Sequence, residues 1–181
     1  MRKIIAVGGV PGTGKTTLFR KFMEGKTWER RSPTKLVETH YCTELDLHIL
    51  GKYEEGETYA GTDKLGMSCQ PNMQKWIESI NSNILFEGDR LTNSKFYNFL
   101  LELPDTEVKF VILKTSKDIL QDRYITRGSN QSEVFLKGRD TKIDNILSNL
   151  EYMDTIIEFR NETMQDQAII LSYLEEHLFS V

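Results

Sequence analysis

GVPGTGKTT, from Gly9 to Thr17, is the stretch on which the rest of the chain depends. The residues before it, Lys3 to Gly8, read as a short buried strand, and Leu18, Phe19 and Phe22 after it fall at helical spacing up to Gly25. Strand, glycine-rich turn and helix form the context that a phosphate-binding loop requires. Gly9, Gly14, Lys15 and Thr16 satisfy GxxxxGKT, while Pro11, Gly12, Thr13 and Thr17 complete the loop. Its glycines let the backbone curl into a ring of inward-facing N–H donors, to which the new helix adds the positive end of its dipole. Lys15 is placed to reach the terminal phosphates, and the Thr16 hydroxyl to hold magnesium. The stretch implies binding of a nucleoside triphosphate, with ATP and Mg2+ as the expected ligands.

With 181 residues, 39% of them hydrophobic and 28% charged, one domain with a substantial core is expected. A net charge of −4 gives no global basic field for nucleic acid, although a local basic cleft stays open. Two cysteines and three histidines show no metal-ligand spacing, so a zinc site is not expected and the thiols read as reduced. With no signal-type segment ahead of the first strand and no apolar run of membrane length, a cytoplasmic protein without membrane contact is expected. Oligomeric state is not encoded in any pattern.

Lys26 to Lys35 is polar and basic and reads as a loop into a second strand at Leu36 and Val37. Leu45 to Gly51 alternates like a strand, and glycines 51, 56, 61 and 66 then punctuate a turn-rich excursion. Helices are predicted from Met73, Trp76, Ile77 and Ile80, from Phe96, Phe99, Leu100 and Leu103, and over Ile119–Arg127. Ile143, Ile146, Leu147 and Leu150 mark another helical face, and Ala168, Leu171, Leu174 and Leu178 a terminal helix. Ile84–Phe86, Val108–Leu113 and Thr155–Phe159 are the remaining strands. This alternation predicts an α/β fold with a parallel sheet covered on both faces, its site assembled on one edge.

Phosphoryl transfer needs an acid near the metal, a group orienting the acceptor, and cations over the transferring group. ILFEGDR supplies the first: a hydrophobic strand ending in a carboxylate is the Walker B arrangement, with Glu87 favoured for magnesium and Asp89 also fitting. Asp89 and Arg90 lie beyond the strand end, facing the acceptor side. Asp63, in AGTDKLGM, is a second carboxylate able to take a hydroxyl proton, although a turn aspartate bonding its own backbone explains it equally well. Arg123, Arg127 and Arg139, with Lys137 and Lys142 nearby, supply the cations; RGSNQSEVFLKGRDTK reads as a lid, against the plain alternative of surface arginines. Asn161 and Thr163 follow the last strand and border the expected base, or simply cap a helix. Tyr53 and Tyr59 are the candidate base-stacking rings, and Trp76 reads as core.

The order of phosphate loop, EGDR strand end, arginine-bearing segment and RNET after the last strand resembles the P-loop kinases, nearest to small-molecule, nucleoside monophosphate and polynucleotide kinases. That resemblance implies a five-stranded parallel sheet in order 2-3-1-4-5, ATP, magnesium and in-line transfer to a bound acceptor. It also implies a single P-loop kinase domain over 1-181, a substrate-side insertion at about 42-70 and a lid at about 127-142. More narrowly, LGKYEEGETYAGTDKLGM, ILFEGDRL and RGSNQSEVFLKGRDTKIDNI resemble segments of phage-encoded kinases that phosphorylate 5-hydroxymethyluracil in DNA. The implied acceptor is then hydroxymethylated phage DNA, in the host cytoplasm, with Arg30, Arg31, Lys35 and Lys64 forming a basic groove. Free nucleosides or monophosphates are the alternative acceptors, and a non-transferring ATP-binding regulatory module is the rival from another class.

Overall fold

Ile4 to Val7 is an unbroken apolar run, and only a strand buried on both faces accommodates one. The computed structural model describes residues 1–57 and 60–180, and in it this run is the centre of β1, Arg2–Gly8. β1 pairs in parallel with β5, Asn83–Glu87, on one side and with β6, Thr106–Lys114, on the other. β4, Leu47–Leu50, extends the parallel ladder beyond β5, and β7, Ile156–Arg160, extends it beyond β6.

Because successive side chains point to opposite faces, β1 feeds two cores. Ile4 and Ala6 join Trp76, Phe96, Tyr97, Phe110 and Tyr152 beneath α2 (Gln70–Ser79), α3 (Ser94–Leu101) and the end of α5 (Glu133–Leu147). Ile5 and Val7 join Leu18, Phe19 and Phe22 of α1 (Lys15–Met23), and Ile170, Leu174 and Leu178 of α6 (Met164–Phe179). α4, Lys117–Arg127, buries only Leu120 and lies along the edge where β6 ends. The chain therefore leaves β1, β4, β5, β6 and β7 on a common edge, where the loops after these strands gather.

Five strands in order 2-3-1-4-5 are expected from the sequence; the sheet has seven, in order β2-β3-β4-β5-β1-β6-β7. The additional pair, β2 (Glu29–Thr34) and β3 (Val37–Cys42), forms an antiparallel hairpin on the edge beside β4. β2 occupies the stretch that reads as a loop. ERRSPT is exposed at every position, so no hydrophobic alternation announces it, and its ladder to β3 alone defines it. Pro33 sits where the register shifts between Arg31 and Thr34, a bulge that spares the missing N–H. Leu36 is in the turn, at φ 66°, and not in a strand.

Two boundaries also move. The helix whose face is marked from Ile143 begins at Glu133, within the segment that reads as a lid, capped by Ser132, whose Oγ accepts from Phe135 N at 3.1 Å. Val134 there is 83% exposed, which is why the amphipathic signal starts only at Ile143. At the other site, β4 within 42–70 belongs to the sheet, leaving 51–66 as the true excursion. Among the described residues no helix is long and apolar enough to cross a membrane.

The β3–β4 pair carries a titratable device. His48 is buried edge-on against Trp76 at 4.9 Å, with Nδ1 3.0 Å from Thr39 Oγ1. Burial, aided by the Arg31 charge, lowers its pKa to about 4. A depressed imidazole pKa means that the unfolded chain binds the proton better, so stability present above pH 6.5 is lost as pH falls toward 4. Between pH 7 and pH 5 this amounts to about 2 kcal/mol. Urea denaturation at the two values should show that loss in the native protein and a loss smaller by that amount in His48→Gln.

Candidate active site

The phosphate loop is fixed from outside before any ligand enters. Gly14 opens α1 at φ 89°, and a Cβ there would lie 2.6 Å from Asn161 Nδ2. That amide donates to Thr13 O at 2.8 Å, while Asn161 N is held by Lys114 O at 2.8 Å. Arg123 donates to Gly12 O at 2.7 Å and to Asn161 O at 3.1 Å, and Tyr124 OH to Pro11 O at 2.6 Å. Arg123, anticipated over the transferring phosphoryl, thus spends its donors on loop carbonyls and ties α4 to two loops. Thr13 is buried and donates to Val10 O at 2.9 Å.

Inside the loop, Lys15 Nζ donates to Gly9 O at 2.6 Å and Val10 O at 3.1 Å. Its pKa is lowered by burial, opposed by the charges of Glu87, Asp63 and Asp89 and assisted by Arg127. Four remote sequence positions are therefore brought within electrostatic reach of one ammonium. Glu87, the last residue of β5, is 2% exposed. Its Oε1 accepts from Thr16 Oγ1 at 3.1 Å and from Tyr53 OH at 3.0 Å. Burial pushes this carboxyl up to about 7 against the pull of Lys15. A hydroxyl and a carboxylate so placed beside a phosphate loop are the hard oxygen donors that magnesium takes alongside substrate phosphates, so the residues fit that ion.

The excursion returns onto the strand end through a short helical turn, Thr62–Lys64. Gly61 pairs with Lys52 through two backbone bonds, 2.8 and 3.1 Å, and Thr62 Oγ1 donates to Glu87 O at 2.9 Å. Asp63 Oδ1 accepts from Arg90 N at 2.9 Å, and the Arg90 guanidinium reaches Asp63 O at 3.3 Å. Among the described residues these bonds use only one carboxylate oxygen of Asp63. Asp89 instead pairs with Arg139 at 3.1 Å and with Lys142 at 2.8 Å, which docks α5 on the strand end. Arg127, over the Tyr124 ring at 5.7 Å, has no carboxylate partner among the described residues.

Two cavities follow. One of about 510 Å³ runs between Gly12, Thr17, Arg123, Arg127, Asn161 and Thr163, behind the loop. The other, about 720 Å³, holds Lys15, Thr16, Asp63, Glu87, Arg90, Arg127 and Arg139. They share Gly12, Gly14, Thr17 and Arg127 in their linings. Thr163 also caps α6 through a capping box.

Other expectations are redistributed. Tyr53 is not open to a nucleobase: its ring stacks on Phe19 at 5.9 Å and its N–H donates to His40 Nε2 at 3.1 Å. Tyr59 lies outside the described residues, and Trp76 is in the core. Arg30 pairs with Glu54 at 2.8 Å, Arg31 with Glu29 at 3.1 Å and Lys64 with Glu57 at 2.9 Å. Three of the four cations required for a nucleic-acid groove are thus already matched by acids. Sequence reading missed Tyr53 as a partner of Glu87. It also missed Arg20, which donates to Glu54 O at 2.8 Å and pins the excursion to α1. Neither has a local signal, because each partner is more than thirty residues away.

A family profile described as AAA domain matches residues 5–144. No curated protein matches the sequence. Among solved structures, a gluconokinase from Sinorhizobium meliloti 1021 is similar over 99% of this chain and 98% of its own, with 15% identity and a TM-score of 0.54. An uncharacterized protein from Eubacterium ventriosum ATCC 27560 is similar over 97% of this chain and 99% of its own, with 15% identity and a TM-score of 0.50. At that identity the likeness is one of fold. A shikimate kinase from Bacteroides thetaiotaomicron is 18% identical over 97% of each chain, with a TM-score of 0.46.

The close approach at Gly61 is testable. Its φ is +72°, and a Cβ would lie 2.7 Å from Glu87 Oε1. Gly61→Ala should cost about 1–3 kcal/mol in urea denaturation through backbone strain and the displaced carboxylate. An unchanged midpoint would show that the excursion stem is free to shift.

Proposed function

The chain belongs to the AAA domain family, and from that premise we propose an ATP-dependent kinase that transfers the γ-phosphoryl group to the hydroxyl of an acceptor bound beside Asp63. One observation carries this: Asp63, with an oxygen to spare, faces the same 720 Å³ cleft as Lys15 and Glu87. A carboxylate held there by the excursion is able to take the proton of an acceptor hydroxyl.

The loop N–H groups and Lys15 take the phosphates, and the base lies toward Asn161 in the smaller cavity. Thr16 and Glu87 would hold magnesium, which would supply charge neutralisation at the phosphates. The acceptor oxygen bonds to the γ-phosphorus as the bond from that phosphorus to the β–γ bridging oxygen breaks. The electron pair leaves with ADP, and the hydroxyl proton passes to Asp63. Arg90 orients Asp63 from below, through its N–H. Arg127 neutralises charge on the transferring oxygens from α4, and Arg139, anchored on Asp89, carries the wall of α5. Segment 127–142 is the lid in this scheme and 51–66, within the wider insertion at 42–70, the acceptor side.

The finer reading is a nucleotide-type acceptor, most specifically the hydroxymethyl group of 5-hydroxymethyluracil in DNA. Segment resemblance supports it. The pairing of Arg30, Arg31 and Lys64 with carboxylates weighs against a duplex lying across the β2–β3 hairpin, so in this reading only the modified nucleotide itself enters the cleft.

Incubation with γ-labelled ATP and a panel of hydroxymethyluracil DNA, unmodified DNA, free nucleosides, nucleoside monophosphates and small polyol acids tests the proposal. Label on any hydroxyl acceptor supports a kinase, and label on the modified DNA alone supports the finer reading. Slow phosphate release with no labelled acceptor would overturn both. With the acceptor so identified, Lys15→Ala should abolish transfer. Asp63→Asn should leave ATP affinity intact and lower kcat by about two orders of magnitude. An unchanged kcat would remove Asp63 from the reaction.

A further inference from the structure

Tyr53, closed to a nucleobase, has its hydroxyl 3.0 Å from the oxygen of Glu87 that Thr16 also reaches. We infer that Tyr53 is a positioning residue for the magnesium site, holding Glu87 in the orientation in which that carboxylate serves the metal. The inference rests on the kinase reading only in taking Glu87 as the magnesium carboxylate.

Geometry leaves Tyr53 little other role. Its ring is fixed on three sides, stacked on Phe19 at an interplanar angle of 12°, edge-on to His40 at 5.9 Å and under Arg20 at 6.0 Å. Its backbone is fixed as well, because its N–H donates to His40 Nε2 and the preceding Lys52 is bonded twice to Gly61. The phenol oxygen thus has a position set by α1, β3 and the excursion stem before it meets Glu87. A carboxylate at a strand end has rotameric freedom, and ordered donors remove it. Thr16 alone cannot serve this purpose, because the same hydroxyl is required by the metal. Tyr53 is the donor that remains on Glu87 when Thr16 turns to the ion. Gly61 closes the other side, since a Cβ there would meet the carboxylate.

The orientation is therefore supplied by the excursion that also carries Asp63, ten residues further on. Donor-side metal and acceptor-side carboxylate share one support.

Tyr53→Phe removes the hydroxyl and keeps the ring. Binding of a non-hydrolysable ATP analogue should be measured calorimetrically, with excess Mg2+ and again in chelator, for the native protein and the variant. No acceptor and no turnover are needed. The native protein should bind more tightly with Mg2+. The variant should match it in chelator and lose about ten- to a hundredfold of the affinity seen with Mg2+. Equal affinities in both conditions would overturn the role of Tyr53, and so would an equal loss in both, which marks a packing residue. If Mg2+ gives the native protein no advantage, the assignment of Glu87 to the metal fails instead.

Discussion

A single ammonium, half-buried where a loop meets a helix, sets the terms for the rest of this structure. Lys15 is folded onto the carbonyls of Gly9 and Val10, and burial alone would drive it toward neutrality. Glu87, Asp63 and Asp89 oppose that, and the reciprocal effect of Lys15 on Glu87 works in the same sense. The two charges therefore favour each other's ionised form across the cleft. The parallel sheet is what holds them together: β1 delivers Lys15 and its neighbour β5 delivers Glu87, in register through Val7 and Glu87.

Around this pair the remaining polar groups act mostly on one another. Arg123, Tyr124 and Asn161 brace the loop, Asp89 docks α5, and Thr62 and Tyr53 attach the excursion to the end of β5. Such bracing keeps donors aimed before ligand arrives, which is the condition for electrostatic stabilisation in the transition state. It also divides the arginines by task. Arg123 supports the loop, Arg139 is tied to a carboxylate, and Arg127 faces both cavities with its charge unmatched among the described residues.

The edge hairpin shows the same economy of charge in a different place. Arg30, Arg31, Lys52 and Lys64 look basic in a one-dimensional list, yet in space each meets Glu54, Glu29, Glu38 or Glu57. Exposed pairs of this kind contribute little stability. Their consequence is for recognition, since they leave this surface without the continuous positive strip along which a phosphate backbone runs.

Local features are legible in the residues themselves. GVPGTGKTT announces its backbone geometry because only glycines permit it, and the apolar runs of β1, β5 and β6 announce a buried sheet. Candidate carboxylates at Asp63, Glu87 and Asp89 were legible from their places at turns and a strand end. What stayed hidden had no periodicity or required a distance. β2 is exposed throughout and α5 begins with an exposed apolar residue, so neither carries a pattern, and the five-strand expectation missed the hairpin for that reason. Tyr53 beneath Glu87, Asp89 against Arg139 and Arg123 on Gly12 join positions 34, 50 and 111 residues apart. Only the tertiary structure decided those roles, because hydrogen bonds and ion pairs are made across a few ångströms of space, and local sequence does not encode which remote strands will close that gap.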